Sequence, residues 1–204
     1  MPRDRFVGID VGAETVKVVE LACGDAPRIV RRALVEHHKD PRRAVLELLS
    51  GWDWPGVASA AVTGRLGRLL ALPRVPAKAA LAAGVRLLRG DEPVTVVSIG
   101  AHGFSVLELR TREVEVLREN NRCSQGTGNF LRQLVERFSL SVEEASALCA
   151  PVADPAPLSG RCPVILKTDM THLANKGEDR ARILAGLFDA VCENVLVLVK
   201  PGVC

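Results

Sequence analysis

A chain of 204 residues, 48% apolar and 25% charged, is long enough to form one large domain or two small lobes with a proper core. Its net charge of +3 and its aromatic fraction of 3% argue against a nucleic-acid partner, which requires a basic surface and stacking side chains. No stretch approaches the ~18 consecutive apolar residues of a membrane span. The N-terminus has no secretory signal either, so the sequence predicts a cytoplasmic protein with no membrane partner.

The first half of the chain has the pattern of three strands followed by a helix, a strand and a helix. Alternating apolar residues predict antiparallel strands at 5–10, 15–22 and 28–35. The later elements are predicted at about 42–50 (helix), 57–62 (buried strand) and 77–88 (helix).

The second half begins the same pattern again. Strands are predicted near 94–99, 104–110 and 113–118, and helices follow. Ser141 and Glu144 form a capping-box pattern that begins a helix ending near Cys149. Segment 178–199 carries an apolar stripe on one helical face. Strands and helices alternating around two sheets predict an α/β fold.

An internal repeat relates the two halves. Residues 9–21 align without gaps on 97–109, with five identical positions and the same apolar alternation. Each copy has the pattern of a β-hairpin whose glycine tip can hold a polar ligand against backbone N–H groups. The repeat predicts a duplicated unit with a cleft between two lobes, 1–92 and 93–204. A second unit matching the first would add a strand and a helix after residue 200, so we expect a longer protein.

The first hairpin carries residues suited to a nucleotide. Asp10 ends a buried strand, where its carboxylate can hold Mg²⁺ through water beside phosphates. Gly12 lets the backbone approach the phosphates, and Thr15 and Lys17 add a hydroxyl and a cation. The alternative is an ordinary turn acid beside a turn glycine.

The second hairpin keeps the glycine turn without the acid. Ser98 occupies the position that matches Asp10, and His102 and Ser105 are the polar side chains left near the turn. This copy can offer backbone N–H groups from Gly100 to Gly103, but no carboxylate from the strand end.

Two cysteines lie in glycine-containing segments next to arginines. Cys123 precedes a Gly126-Thr127-Gly128 sequence that opens a helix, where the helix dipole favours a thiolate. Cys162 lies in a second such segment. Two thiols in such segments are candidate ligands of an iron–sulfur site. A [4Fe–4S] cluster takes four thiolates, so one chain would supply two of them and a twofold-related chain the other two. The alternative is two unrelated buried thiols. Cys149 and Cys192, within helical apolar patterns, are predicted to pack in the core.

The run from Asn121 to Leu131 resembles the motif of the BadF/BadG/BcrA/BcrD-type ATPases. These are activators of 2-hydroxyacyl-CoA dehydratases and ATP-binding subunits of benzoyl-CoA reductases, also called CoA-substrate-specific enzyme activases. The resemblance extends along most of the chain, through the second hairpin and residues 8–12, 62–64, 159–169, 177–178, 183–187 and 190–191.

This resemblance implies an actin-like (ASKHA, ribonuclease H-like) fold with ATP bound between lobes. It further implies a homodimer bridged by one [4Fe–4S] cluster, with Cys123 and Cys162 as iron ligands. ATP hydrolysis would open the dimer, and a low-potential electron would pass from a ferredoxin or flavodoxin to a CoA-thioester dehydratase or reductase. Ser98 replaces an aspartate of the family pattern, so the sequence leaves open whether ATP is hydrolysed or only bound.

The resemblance also implies a set of site residues. Asp10 is the implied catalytic and Mg²⁺-binding carboxylate. The implied nucleotide contacts are Gly8, Asp10, Gly12, Ala13, Thr15, Lys17, Gly100, Ala101, His102, Gly126, Thr127 and Gly128.

Two other functions fit parts of the sequence. An actin-like assembly or scaffold protein of the pilus-assembly type resembles the first hairpin, but it has no use for cysteines at 123 and 162. A phosphotransferase of the sugar-kinase type would need a substrate base, and the second lobe offers no credible one. The activator therefore remains the leading hypothesis.

Overall fold

The computed structural model describes residues 4–110, 115–120, 127–158 and 162–199. The chain divides into two compact units between Asp91 and Glu92. Among the described residues, no helix is both long enough and apolar enough to cross a membrane.

Unit 1 is a four-stranded sheet with two α-helices and a short 3-10 helix at Gly67–Leu69. Its strands are β1 (Asp4–Val11), β2 (Thr15–Cys23), β3 (Arg28–Glu36) and β4 (Val57–Thr63). They lie in the order β3-β2-β1-β4, with β4 parallel to β1 and the other neighbours antiparallel. The helices are α1 (Pro41–Ser50) and α2 (Ala77–Arg89). All six predicted elements of this half are confirmed.

One face of this sheet is the core of unit 1, and the other is partly open. Ile9 and Val11 of β1, Val18 of β2 and Val62 of β4 are buried together. Because side chains alternate along a strand, Asp10 lies on the opposite face.

A buried ion pair lies at the far end of the β1–β2 hairpin. Glu20 is 4% exposed and accepts hydrogen bonds from Arg5 Nε at 2.6 Å and Trp52 Nε1 at 3.0 Å. The Arg31 guanidinium lies 3.9 Å from the centre of the Trp52 ring. The hydrogen bond from Arg5 is the main cause of a pKa for Glu20 below its ordinary value. Glu20 is therefore a structural anion in the core.

Unit 2 combines a three-stranded sheet with four helices. The strands are β5 (Val94–Gly100), β6 (Gly103–Leu109) and β7 (Glu115–Asn120), antiparallel in the order β5-β6-β7. The helices are α3 (Gly128–Glu136), α4 (Val142–Cys149), α5 (Pro163–Asn175) and α6 (Arg180–Leu196). The predicted Ser141 capping box is present, and the Ser141 backbone N–H lowers the pKa of Glu144.

The longest helix, α6, organises the core of unit 2. Its buried side chains Leu184 and Leu187 pack in one cluster with residues of α3, α4 and α5, and Val195 packs against Phe104 and Val106 of β6. At Gly186 a Cβ atom would overlap the Ala156 carbonyl oxygen and lie 3.3 Å from its carbon. Glycine is therefore required for this close approach between α6 and the preceding loop.

The two predicted hairpins have the same register. Asp10 pairs with Lys17 and Val11 with Val16, while the equivalent Ser98 pairs with Ser105 and Ile99 with Phe104. The repeat seen in the sequence is therefore a repeat in structure.

The repeat includes a second buried glutamate. Glu108 is the counterpart of Glu20 and is 1% exposed. It accepts hydrogen bonds from Arg118 at 2.6 Å and Arg110 at 2.9 Å.

Strand β5 is less covered than its counterpart β1. Val97 and Ile99 are 46% and 44% exposed, whereas the equivalent Ile9 and Val11 are 1% and 0% exposed. In unit 1 this part of the core is covered by β4 and the segment after it. Within the described ranges of unit 2, β5 pairs only with β6.

Two features differ from the sequence analysis. Helix α5 was not predicted, because β-branched residues interrupt its pattern and only Leu166 and Met170 are buried. The prediction that Cys192 packs in the core is wrong: its side chain is exposed on α6. Cys149 does pack against the core, and its burial raises the pKa of the thiol.

Candidate functional site

Three polar side chains form a row across the sheet of unit 1. Asp10 on β1 pairs with Lys17 on β2 and, on its other side, with Thr63 on β4. Residues paired across adjacent strands project from the same face, so the three side chains lie next to one another. We call Lys17, Asp10 and Thr63 the polar row.

Within the polar row, an ion pair with Lys17 orients the Asp10 carboxylate. Lys17 Nζ donates a hydrogen bond to Asp10 Oδ2 at 2.9 Å, and the two side chains are 44% and 36% exposed. Asp10 Oδ1 accepts no hydrogen bond from any other described residue. The row thus presents an oriented carboxylate with one oxygen available to a hard cation or a water molecule.

Position 64, immediately after β4, must be a glycine because Asp10 lies so close to it. Its φ of +92° is unfavourable for other residues, and a Cβ there would overlap Asp10 Oδ1 and lie 2.7 Å from the Val11 carbonyl carbon. Neither Thr63 nor Gly64 was among the predicted site residues. A glycine directly after a buried strand was the available signal.

The tip of the first hairpin is a tight turn beside the row. Gly12 N donates to the Thr15 carbonyl oxygen at 2.9 Å, and a Cβ at Gly12 would lie 3.2 Å from that oxygen. Ala13 and Thr15 are half-buried in this tip, and the exposed Gly8 lies on the same sheet face as Asp10. The predicted residues of this hairpin are therefore local to one another.

The structure brings the predicted residues of unit 2 into a second group. Asn129 N donates to the Ala101 carbonyl oxygen at 3.2 Å, and a Cβ at Gly128 would lie 3.3 Å from the Gly100 carbonyl oxygen. His102 Nε2 lies 3.5 Å from Asn129 Nδ2. The tip of the second hairpin therefore packs against the first turn of α3.

Thr127 caps this helix. Its hydroxyl accepts a hydrogen bond from Phe130 N at 3.4 Å, and the residue is 1% exposed. Helix α3 begins at Gly128, as the sequence predicts. Gly126 lies outside the described residues. Of the N–H groups at this helix start, those of Asn129 and Phe130 are already donated to the Ala101 carbonyl and the Thr127 hydroxyl.

The row equivalent to the polar row has a different composition in unit 2. Ser98 and Ser105 face each other, and Ser105 pairs on its other side with Glu119 of β7. The exposed carboxylate of Glu119 therefore belongs to this row, on β7 at the opposite edge of the sheet from β5. Glu119 was not predicted as part of this row, because the alignment of the two hairpins ends before β7.

Of the two cysteines singled out, Cys162 is described and Cys123 lies outside the described residues. Cys162 is the N-cap residue of α5, and its exposed side chain makes no capping hydrogen bond. No group of three or more His, Cys, Asp or Glu side chains in the described part of the chain could hold a metal ion. Cys162 offers one accessible thiol at the positive end of a helix.

Comparison with known proteins identifies the family. Residues 75–203 match the model of the BadF/BadG/BcrA/BcrD ATPase family. The chain belongs to this family. Its fold is the actin-like ATPase fold, as the sequence predicts.

Three matches illustrate the similarity. The chain is 26% identical to a benzoyl-CoA reductase subunit of Thauera aromatica over 53% of its own length and 39% of the relative. It is 26% identical to the (R)-2-hydroxyglutaryl-CoA dehydratase activating ATPase of Acidaminococcus fermentans, over 52% and 41% of the two chains. The crystal structure of the A. fermentans (R)-2-hydroxyglutaryl-CoA dehydratase component A superposes with a TM-score of 0.84 at 24% identity, covering 96% of this chain and 77% of that one. The matches thus span about two-fifths of the two curated relatives.

Proposed function

We propose that this chain is an ATP-dependent activator that passes a low-potential electron to a CoA-thioester dehydratase or reductase. The polar row carries the nucleotide part of this proposal, because it presents a lysine-held carboxylate beside a glycine tip. Membership of an ATPase family and similarity to a dehydratase-activating ATPase support it.

Each residue of the first hairpin has a defined task in the proposal. Asp10 holds Mg²⁺ through water and is the catalytic carboxylate, and Lys17 holds Asp10 in position and adds positive charge beside the phosphates. The backbone at Gly8, Gly12 and Ala13 approaches the phosphates closely, and Thr15 adds a hydroxyl.

The second hairpin supplies backbone groups for an anion. The proposed contacts are N–H groups at Gly100, Ala101 and His102, those of Thr127 and Gly128 at the start of α3, and that of Gly126. In this unit no carboxylate occupies the Ser98 position, so the proposed ATPase chemistry depends on Asp10.

We assign the iron–sulfur part to Cys123 and Cys162 from two copies of the chain. The exposed, uncapped thiol of Cys162 fits a ligand shared with a second protomer. A [4Fe–4S] cluster supplies a one-electron carrier of low potential. The chain's own contribution is two thiolates, each preceded by an arginine, with α5 directing its positive end toward Cys162. A ferredoxin or flavodoxin would supply the electron.

The nucleotide part is tested by an Asp10→Asn variant. We expect Mg-ATP hydrolysis to fall by at least about 100-fold, because the amide does not replace a carboxylate that positions Mg²⁺. Steady-state phosphate release and calorimetric Mg-ATP binding are the measurements, with Glu47→Gln on the exposed face of α1 as the control. Unchanged turnover in Asp10→Asn would show that the role given to Asp10 is wrong.

The iron–sulfur part is tested by anaerobic reconstitution with iron and sulfide. We expect about four iron atoms for every two chains, with loss of the cluster in Cys123→Ser and Cys162→Ser. Cys192→Ser is the matched control, because Cys192 is also exposed but has no proposed role. A colourless wild-type protein after reconstitution would rule the cluster out.

A further inference from the structure

The hydroxyl of Thr63 is buried and has no hydrogen-bond partner among the described residues. Most buried hydroxyls in proteins are paired, because a buried donor without a partner loses its hydrogen bonds to water and gains none. Valine has nearly the same shape and fits a β-strand equally well. A threonine here is therefore unfavourable for the folded chain alone.

The position of Thr63 is suited to a role of this hydroxyl in ligand binding. Thr63 is the last residue of β4 and lies beside Asp10 across the parallel pair β1–β4. Ligands of open α/β sheets bind at the carboxyl ends of parallel strands. Gly64 follows directly, and its lack of a side chain leaves room around Asp10 Oδ1.

The charges of the polar row select the kind of ligand. Lys17 and the Asp10 carboxylate are already paired, whereas Thr63 is neutral and can donate one hydrogen bond. Such a donor suits an oxyanion held next to the row. Thr63 as a residue is only half-buried, and a rotation of about 120° about its Cα–Cβ bond moves the hydroxyl to another staggered position, which is how it would reach the ligand.

We propose that Thr63 is a further ligand-binding residue whose hydroxyl donates a hydrogen bond to a phosphate oxygen of the bound nucleotide. This inference rests on the proposed function, since it names a contact in the same site. It makes the end of β4, and not only the first hairpin, part of the phosphate-binding surface.

The test compares Thr63→Val and Thr63→Ser in the full chain. Thr63→Val is expected to bind Mg-ATP about tenfold or more weakly, because a hydrogen bond to a charged group is lost. Its affinity for adenosine, which has no phosphate, should stay at the wild-type value. Thr63→Ser keeps the hydroxyl and should bind Mg-ATP within about threefold of wild type. Ser59→Ala, which removes an exposed hydroxyl from the same strand, is the control.

Stability of the ligand-free protein gives the second readout. Thr63→Val should melt at the same temperature as wild type or higher, because it removes an unpaired buried hydroxyl. A lower melting temperature for Thr63→Val would indicate a structural hydrogen bond and overturn the inference, as would wild-type affinity of Thr63→Val for Mg-ATP. If the wild-type protein itself binds no Mg-ATP, the proposed function fails, and the inference fails with it.

Discussion

Single residues of this chain show how a charge is tolerated inside a small sheet. Glu20 and Glu108 occupy equivalent positions of the repeat, and each is almost completely buried against arginine. Burial of an unpaired carboxylate is very costly, so the arginines are a requirement of the fold. The alignment matched these glutamates but did not reveal their burial, because their partners Arg5, Arg110 and Arg118 follow no pattern that marks them as partners.

The Glu20 pair predicts how stability depends on pH. Because the pKa of Glu20 is lower in the folded than in the unfolded chain, its contribution is present above the unfolded pKa of about 4.5. It is lost as the pH falls through the folded value. Glu20→Gln should lower the free energy of unfolding by about 3 kcal/mol at pH 7. The difference in free energy of unfolding between wild type and this variant should shrink below about pH 4.

Urea unfolding of wild type and Glu20→Gln from pH 3 to 7 measures this effect. Glu47→Gln serves as the control, since Glu47 is 63% exposed and pairs with Arg43 on the same helix. A constant difference between wild type and Glu20→Gln across this range would contradict the linkage.

Among the helices and strands, local patterns predicted most elements, whereas the site depends on long-range pairing. The two hairpins, α3 and the capped α4 follow from alternation, spacing and caps within a few residues. The polar row does not, because the register of β4 on β1 joins residues far apart in the sequence. Helix α5 was not predicted because its local pattern is weak: Leu166 and Met170 are its only buried residues.

The fit of α6 against the loop at Ala156 predicts a contrast between two glycines in helices. Gly186→Ala should lower the free energy of unfolding by about 1–3 kcal/mol, because the new methyl group meets the Ala156 carbonyl. Gly84→Ala in α2 should raise it by about 0.5–1 kcal/mol, since nothing lies within 4 Å and alanine favours a helix. Chemical denaturation of both variants checks the pair, and equal effects would contradict the packing described at Gly186.

At the scale of the whole molecule, the two units contain equivalent hairpins but carry different side chains at the equivalent position. Unit 1 keeps the carboxylate of the polar row, whereas unit 2 replaces it by Ser98 and brings the hairpin tip against α3. The duplication was readable from the sequence because both hairpins retain the same register. The packing of the second tip on α3 was not, since it depends on the tertiary position of the helix.

The proposed [4Fe–4S] cluster, shared between two chains, predicts that association of the two chains depends on iron. Under anaerobic conditions, light scattering coupled to size-exclusion chromatography should give twice the mass of one chain for reconstituted protein. Removal of iron by a chelator, or Cys162→Ser, should shift the protein toward one chain. Cys192→Ser should behave as wild type. The same mass with and without iron would contradict a cluster-bridged dimer.

Within the described residues, strand β5 pairs on one side only, which affects how this chain behaves at high concentration. It contains seven residues, none of which is charged or proline, and the side chains of Val97 and Ile99 are exposed. Natural sheets usually protect such an edge with lysine, proline or a bulge, because unpaired backbone groups recruit strands from other molecules. Self-association in solutions of this chain should therefore begin at β5, and crowding or partial unfolding should accelerate it.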